Sequence, residues 1–153
     1  MTRPPPQGSC QCGAVTYTLH AEPLFTYACH CHSCQKRTGS AFSMGLVMPL
    51  EALEMQGELT PWQRVSEQGH TNTRYSCAAC GNIKYGIGDS SPELAKLQTG
   101  TLAETREVPP EDQIWVRNKQ TWLPLPSQTR QFDTQPDDPL ELLQAALDHR
   151  ANT

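Results

Sequence analysis

Apolar positions in this chain alternate with polar ones in short runs cut by glycine and proline, the pattern of half-buried strands. Val15, Tyr17 and Leu19 share one face of a strand over 14–19, and period two puts Cys10 and Cys12 on one face if that strand extends back to them. After the turn at Glu22-Pro23, residues 24–28 form a short extended run, residues 35–39 allow at most a helical turn before Gly39, and 40–48 reads as a second strand broken at Pro49. Weaker strands are expected at 53–55 and 62–65, separated by Gln56-Gly57 and Pro61, with a polar, loop-like stretch at 66–73. Residues 74–76 and 83–87 are extended runs on either side of Cys77 and Cys80. The segment 94–101 fits helix or strand and is read as strand, because Gly100 and the later prolines leave a helix little room. Pro109-Pro110 is a firm break, 114–116 is a short apolar segment, and 122–126 lies flat or on an edge. Trp115 and Trp122 are expected in core packing or as hydrophobic cover.

The C-terminal segment is different in kind. Asp138, Pro139 and Glu141 supply an N-cap, a proline at the first helical position and a glutamate three residues after the cap. Leu140, Leu143, Ala146 and Leu147 then share a face, so 139–149 is predicted to be a short amphipathic helix. The expectation is a mainly β chain of antiparallel sheets: a flexible proline-rich arm over 1–7, a cysteine-bearing domain over 8–126, and a variable tail over 127–153 that carries the helix. The tail from Gln128 onward matches no motif and reads as a variable cap or a homodimer contact.

Composition narrows the function classes. The 153 residues suit one domain, but only 37% are hydrophobic, so cross-links are expected to help the core. A formal net charge of −4 gives none of the electrostatic footprint that nucleic-acid binding needs. The start lacks the apolar core of a signal peptide and no apolar run is long enough to span a bilayer, so the chain reads as cytoplasmic.

In such a reducing compartment, seven cysteines read as metal ligands. Cys29, Cys31 and Cys34 lie within six residues, and a Cys-X-Cys pair closes too small a ring for unstrained disulfide geometry. Cys10/Cys12 and Cys77/Cys80 form two pairs, each ending in Cys-Gly, where the glycine lets backbone N–H groups turn toward the sulfurs. The simplest division is therefore four plus three: a closed four-cysteine zinc site and an open three-cysteine one. Spacing leaves open another partition in which Cys29 or Cys31 completes the closed site.

His30 and His32 are the nearest rivals for the fourth position of the cluster, but each directly follows a ligand cysteine and is expected to point away. A zinc dication held by three thiolates carries a net negative charge and acidifies water poorly. Such a site suits a substrate thiol, which can lose its proton and remain nucleophilic toward an aldehyde.

The run Gly8-X-Cys10-X-Cys12-Gly13-Ala14-Val15, then Cys29-His30-Cys31-X-X-Cys34-X-Lys36-X-X-Gly39-Ser40-Ala41-Phe42, then Cys77-X-X-Cys80-Gly81, resembles the glutathione-dependent formaldehyde-activating enzyme family, which includes centromere protein V. The likeness extends through Gly100-Thr101-Leu102 and Ile114-Trp115-Val116 to Trp122. It implies a β-tent zinc fold, with Cys10, Cys12, Cys77 and Cys80 on a structural zinc and Cys29, Cys31 and Cys34 on a catalytic one. It also implies two zinc ions per chain, glutathione as co-substrate, formaldehyde or another small aldehyde as partner, and carbon–sulfur lyase chemistry of the S-(hydroxymethyl)glutathione synthase type. Lys36 and Arg37 are candidates to pair with a glutathione carboxylate or simply form a solvated basic face. The alternative is a non-catalytic zinc-binding interaction module, as the likeness to centromere protein V suggests.

Overall fold

The structure is a computed structural model describing residues 3–136 and 138–152. It is mainly β, with strands in two sheets and a C-terminal helix. The chain forms two compact units, Met1–Pro23 with Leu46–Val108, and Leu24–Gly45 with Pro109–Thr153.

In the first unit, β1 (Gln7–Ser9), β2 (Thr16–Leu19) and β5 (Leu53–Gln56) make an antiparallel three-stranded sheet in the order β1-β2-β5. Tyr17 pairs with Gly8 on one side and Met55 on the other. The remaining strands follow the order β4-β9-β8-β7-β6, where β4 is Ser43–Pro49, β6 Leu59–Val65, β7 Thr71–Cys77, β8 Ile83–Gly88 and β9 Leu94–Gln98. Period two carries Tyr17 and Leu19, Leu46 and Met48, and Ala95 and Leu97 into one buried cluster, as strand alternation requires. The Tyr17 hydroxyl meets Thr101 Oγ1 at 2.7 Å, giving that buried phenol a partner.

The second unit is built on β3 (Phe25–Cys29), β10 (Asp112–Ile114) and β11 (Arg130–Gln131), with the start of β4 beside β3. Here the expectation of antiparallel sheets needs correcting, because β10 runs parallel to both β3 and β11. The long sequence separation of β3 and β10 frees them from hairpin geometry. Between β3 and β4 stands α1 (His32–Thr38), longer than a single turn and ended by Gly39. The tail helix α2 (Pro139–Ala151) starts at Asp138, whose side chain accepts from the Leu140 N–H.

Several further expectations change. Strand β2 begins only at Thr16, because Cys10 to Ala14 are taken up by a turn in which the Gly13 N–H bonds the Cys10 carbonyl. Gln7 belongs to β1, and Pro6 accepts from the Leu19 N–H, so the end of the proline-rich lead is tied down. Strand β7 begins inside the stretch read as loop, and β6 runs through Pro61. That proline is tolerated because β6 is an edge strand and needs no ladder donor there. Helix α2 buries a shifted face: Ala146 is buried as expected at 1% exposed and Leu142 joins it at 6%, whereas Leu140 and Leu147 are 58% and 48% exposed. Trp122 is 69% exposed and is not core.

Candidate metal centres

The seven sulfurs gather into two groups, Cys10, Cys12, Cys77 and Cys80 in the first unit and Cys29, Cys31 and Cys34 in the second. In each group the sulfurs lie within 4.8 Å of one another, and each group could hold a metal ion.

The four-cysteine group is assembled from two turns. Cys10 and Cys12 lie between β1 and β2, Cys77 closes β7, and Cys80 lies in the turn into β8. Gly13 and Gly81 adopt φ of 82° and 75°, a left-handed conformation that glycine takes without Cβ strain. That conformation turns the following N–H groups toward sulfur. The Val15 N–H donates to Cys10 Sγ at 3.2 Å and the Ala14 N–H to Cys12 Sγ at 3.5 Å, and the Asn82 N–H donates to Cys80.

Sulfur separations of 3.4 Å for Cys10 and Cys12 and 3.7 Å for Cys12 and Cys77 fit tetrahedral thiolates on zinc. A Zn–S bond of about 2.3 Å places such sulfurs about 3.8 Å apart. Without a cation, crowding prevents the set from ionising together. Burial acts to raise Cys10, but the Val15 N–H and neighbouring thiols outweigh it and bring it down to about 6. For Cys12 the Ala14 N–H lowers, yet contacts with Cys10 and Cys80 push it up to about 12. A dication removes this conflict by favouring every thiolate at once. Lys84 adds a buried ammonium, donating to Asn82 Oδ1 at 2.6 Å and to the Ser9 carbonyl at 3.2 Å.

The three-cysteine group is built around the start of α1. Cys29 is the last residue of β3 and is buried, Cys31 is the N-cap, and Cys34 lies in the first turn, its N–H donating to Cys31 Sγ at 3.3 Å. Contacts with Cys29 and Cys31 hold the Cys34 thiol far down, at about 2, with burial opposing and the Arg37 guanidinium helping. The same contacts, together with burial, push Cys29 well above the usual thiol range. Arg37 Nη2 lies 3.6 Å from Cys34 Sγ and 2.8 Å from Ser43 Oγ.

Neither histidine rival joins the sulfurs. His30 is fully buried, its Nε2 meets Gln113 Oε1 at 2.7 Å, and its ring packs on Phe42. His32 is exposed and its Nε2 meets Asn118 Nδ2 at 3.2 Å. Lys36 is also exposed. Gln35 braces α1, donating to the carbonyls of His30 and Asn118 at 2.7 and 2.9 Å and accepting from Gln120 at 2.8 Å. Trp115 enters this bracing segment with φ of 58°, a conformation rare for an aromatic residue, and its indole N–H is anchored on Gln135. Gln35, Ser43, Lys84, Gln113 and Asn118 carry no sequence signal of these roles. They matter through partners brought together only by folding.

Residues 5–118 match the family described as "Glutathione-dependent formaldehyde-activating enzyme". A protein of Halomonas elongata, provisionally named as such an enzyme, is 26% identical over 149 residues, covering 92% of this chain and 95% of its own. Provisionally named relatives from Emericella nidulans and Penicillium rubens are 33% and 32% identical over 79 residues, half of this chain and about 40% of theirs. In fold, the chain is similar to a crystal structure of a Rhodobacter sphaeroides protein, with a TM-score of 0.52 and 22% identity, covering 66% of this chain and 91% of that one. No helix among the described residues is long and apolar enough to cross a membrane. With three quarters of its length matched, and with its cysteines gathered into two groups able to hold metal, the chain belongs to the glutathione-dependent formaldehyde-activating enzyme family.

Proposed function

We propose that this protein is a carbon–sulfur lyase acting on a thiol adduct of a small aldehyde, with glutathione and formaldehyde as the pair the family description points to. In this reading Cys10, Cys12, Cys77 and Cys80 hold a structural zinc, and Cys29, Cys31 and Cys34 hold a catalytic zinc. Residues 8–126 form the working domain and 127–153 a variable tail. The working compartment is the cytoplasm, where cysteines outside disulfides persist as metal ligands.

The observation that carries the reading is the contrast in ligand number, four sulfurs in one group and three in the other. Four thiolates fill a tetrahedral shell, whereas three leave a position for a substrate. Bound zinc would supply Lewis acidity that favours the thiolate over the thiol at neutral pH. The chain's own contribution is to hold the three sulfurs together, with Cys29 fixed by β3 and Cys31 and Cys34 fixed by α1. In the forward direction, a sulfur electron pair forms the new S–C bond as the carbonyl π pair moves onto oxygen. The thiol proton ends on that oxygen, giving a hydroxymethyl thioether, and the reverse reaction breaks the same bond.

Exchange spectroscopy by NMR on formaldehyde and glutathione, with and without the zinc-loaded protein, tests this directly. The expected result is faster interconversion of adduct and free thiol. No acceleration with glutathione or with any other small thiol would overturn the enzyme reading in favour of a non-catalytic binding module.

A further inference from the structure

Each cysteine cluster has a cation nearby, but the two cations do different things. Lys84 spends its hydrogen bonds on Asn82 and the Ser9 carbonyl, so it fastens chain segments near the four sulfurs. Arg37 reaches a sulfur itself. Its Nη2 lies 3.6 Å from Cys34 Sγ and is held there by Ser43 Oγ at 2.8 Å, a hydroxyl on a residue only 2% exposed. The i, i+3 spacing on α1 brings Arg37 and Cys34 to one side of the helix. Its neighbour Lys36 is exposed and is not offered to the cluster in this way.

We propose that Arg37 is the positioning residue for the incoming thiol, its guanidinium allowing the three-cysteine cluster to accept a fourth sulfur anion. The inference rests on the thiol-binding reading above. A dication with three thiolates is already negative overall, so another thiolate must approach against like charge. A guanidinium fixed beside Cys34 offsets that repulsion. Anchoring on Ser43 keeps the charge in place before the thiol arrives, so little side-chain freedom is lost on binding.

The test uses the zinc-loaded full chain and 2-mercaptoethanol, a neutral thiol that excludes any contribution from a substrate carboxylate. Affinity is read by calorimetry and zinc content by native mass spectrometry, for the parent protein, Arg37→Gln, Arg37→Lys and Ser43→Ala. Arg37→Gln is expected to weaken 2-mercaptoethanol binding about ten- to hundredfold, the range for one hydrogen bond to a charged group. Zinc content should stay unchanged, and Arg37→Lys should recover most of the affinity because the charge is retained. Equal binding by Arg37→Gln and the parent overturns the proposal, and so does loss of zinc from Arg37→Gln, which would mark a structural role. If Arg37→Gln does not fold, Ser43→Ala decides. Several-fold weaker binding at unchanged zinc content supports the proposal, and unchanged affinity overturns it. A parent protein that holds its zinc but binds no thiol overturns the reading of the site itself and this inference with it.

Discussion

The four-cysteine cluster joins two turns whose members Cys12 and Cys77 are 65 residues apart in sequence, and backbone N–H groups face its sulfurs. The three-cysteine cluster is made within one short stretch, by the end of a strand and the first turn of a helix, and has a side-chain guanidinium at its edge. A metal ion in the first would close a long loop and contribute to folding. In the second it would close almost no loop, so its removal leaves the chain's connectivity little changed. On the proposed reading, the same ligand type would serve cohesion or chemistry according to how far apart the chain gathers it and how many ligands it brings.

The strongest way to break this contrast is to remove one sulfur from each cluster. Cys77→Ser should leave a chain that cannot hold its fold. Structural zinc supplies about 10–16 kcal/mol in small metal-dependent domains, which exceeds or matches an ordinary domain's stability of about 5–15 kcal/mol. Circular dichroism should show lost strand signal, and a native-like spectrum would remove the structural role. Cys34→Ser should keep the spectrum and lose one zinc per chain. Its adduct exchange should fall by at least the roughly 10–100-fold typical of disturbing even the outer shell of a metal site.

Smaller effects sharpen the picture. Lys84→Met removes a buried ammonium that bonds the Ser9 carbonyl and Asn82 Oδ1 near four sulfurs, so urea unfolding should show a loss of about 1–3 kcal/mol. Gly81→Ala forces a side chain onto φ of 75°. The strain should cost about 1 kcal/mol while leaving adduct exchange unchanged.

In the unit with the open cluster, α2 is tied by Arg150 to Glu111, at 2.8 Å through both carboxylate oxygens. Burial acts to raise Glu111, but Arg150 and the Thr26 N–H outweigh it and hold the carboxyl below its usual value. A depressed folded value means that the contribution is present above the unfolded value of about 4.3 and is lost as pH falls through the folded one. Glu111→Gln should therefore cost only about 0.5–1 kcal/mol at neutral pH, given the partial exposure of the pair. In pH-resolved urea melts that difference should vanish in acid, and a difference that persists there would show that the charge is not what ties the helix.

What could be read in advance follows from how local each feature is. The Cys-Gly turns were legible, because a glycine after each cysteine pair lets the chain turn so that backbone N–H groups face sulfur. The alternation of Val15, Tyr17 and Leu19 was legible for the same reason: one strand's own residues carry the signal. Strand β1 was not, since Gln7 to Ser9 are polar or small and become a strand only by pairing with β2. Nor was β10, whose Asp112 and Gln113 are buried because Arg130 and His30 meet them from distant parts of the chain. The buried face of α2 was misjudged at Leu140 and Leu147, because helical spacing alone offers two overlapping apolar faces and the packing partner chooses between them. Arg37 stood in view as a basic residue, but its turn toward Cys34 depends on Ser43, which no spacing rule links to it.

The most direct test of the central contrast is native mass spectrometry of the parent chain and Cys34→Ser during a graded chelator titration, with circular dichroism on the same samples. Two zinc ions per parent chain are expected. The first should leave without a change of spectrum, the second only together with the fold, and Cys34→Ser should carry just the ion that leaves last. A parent chain that never holds more than one zinc, or that loses both in a single step with its fold, would contradict the division into a closed and an open site.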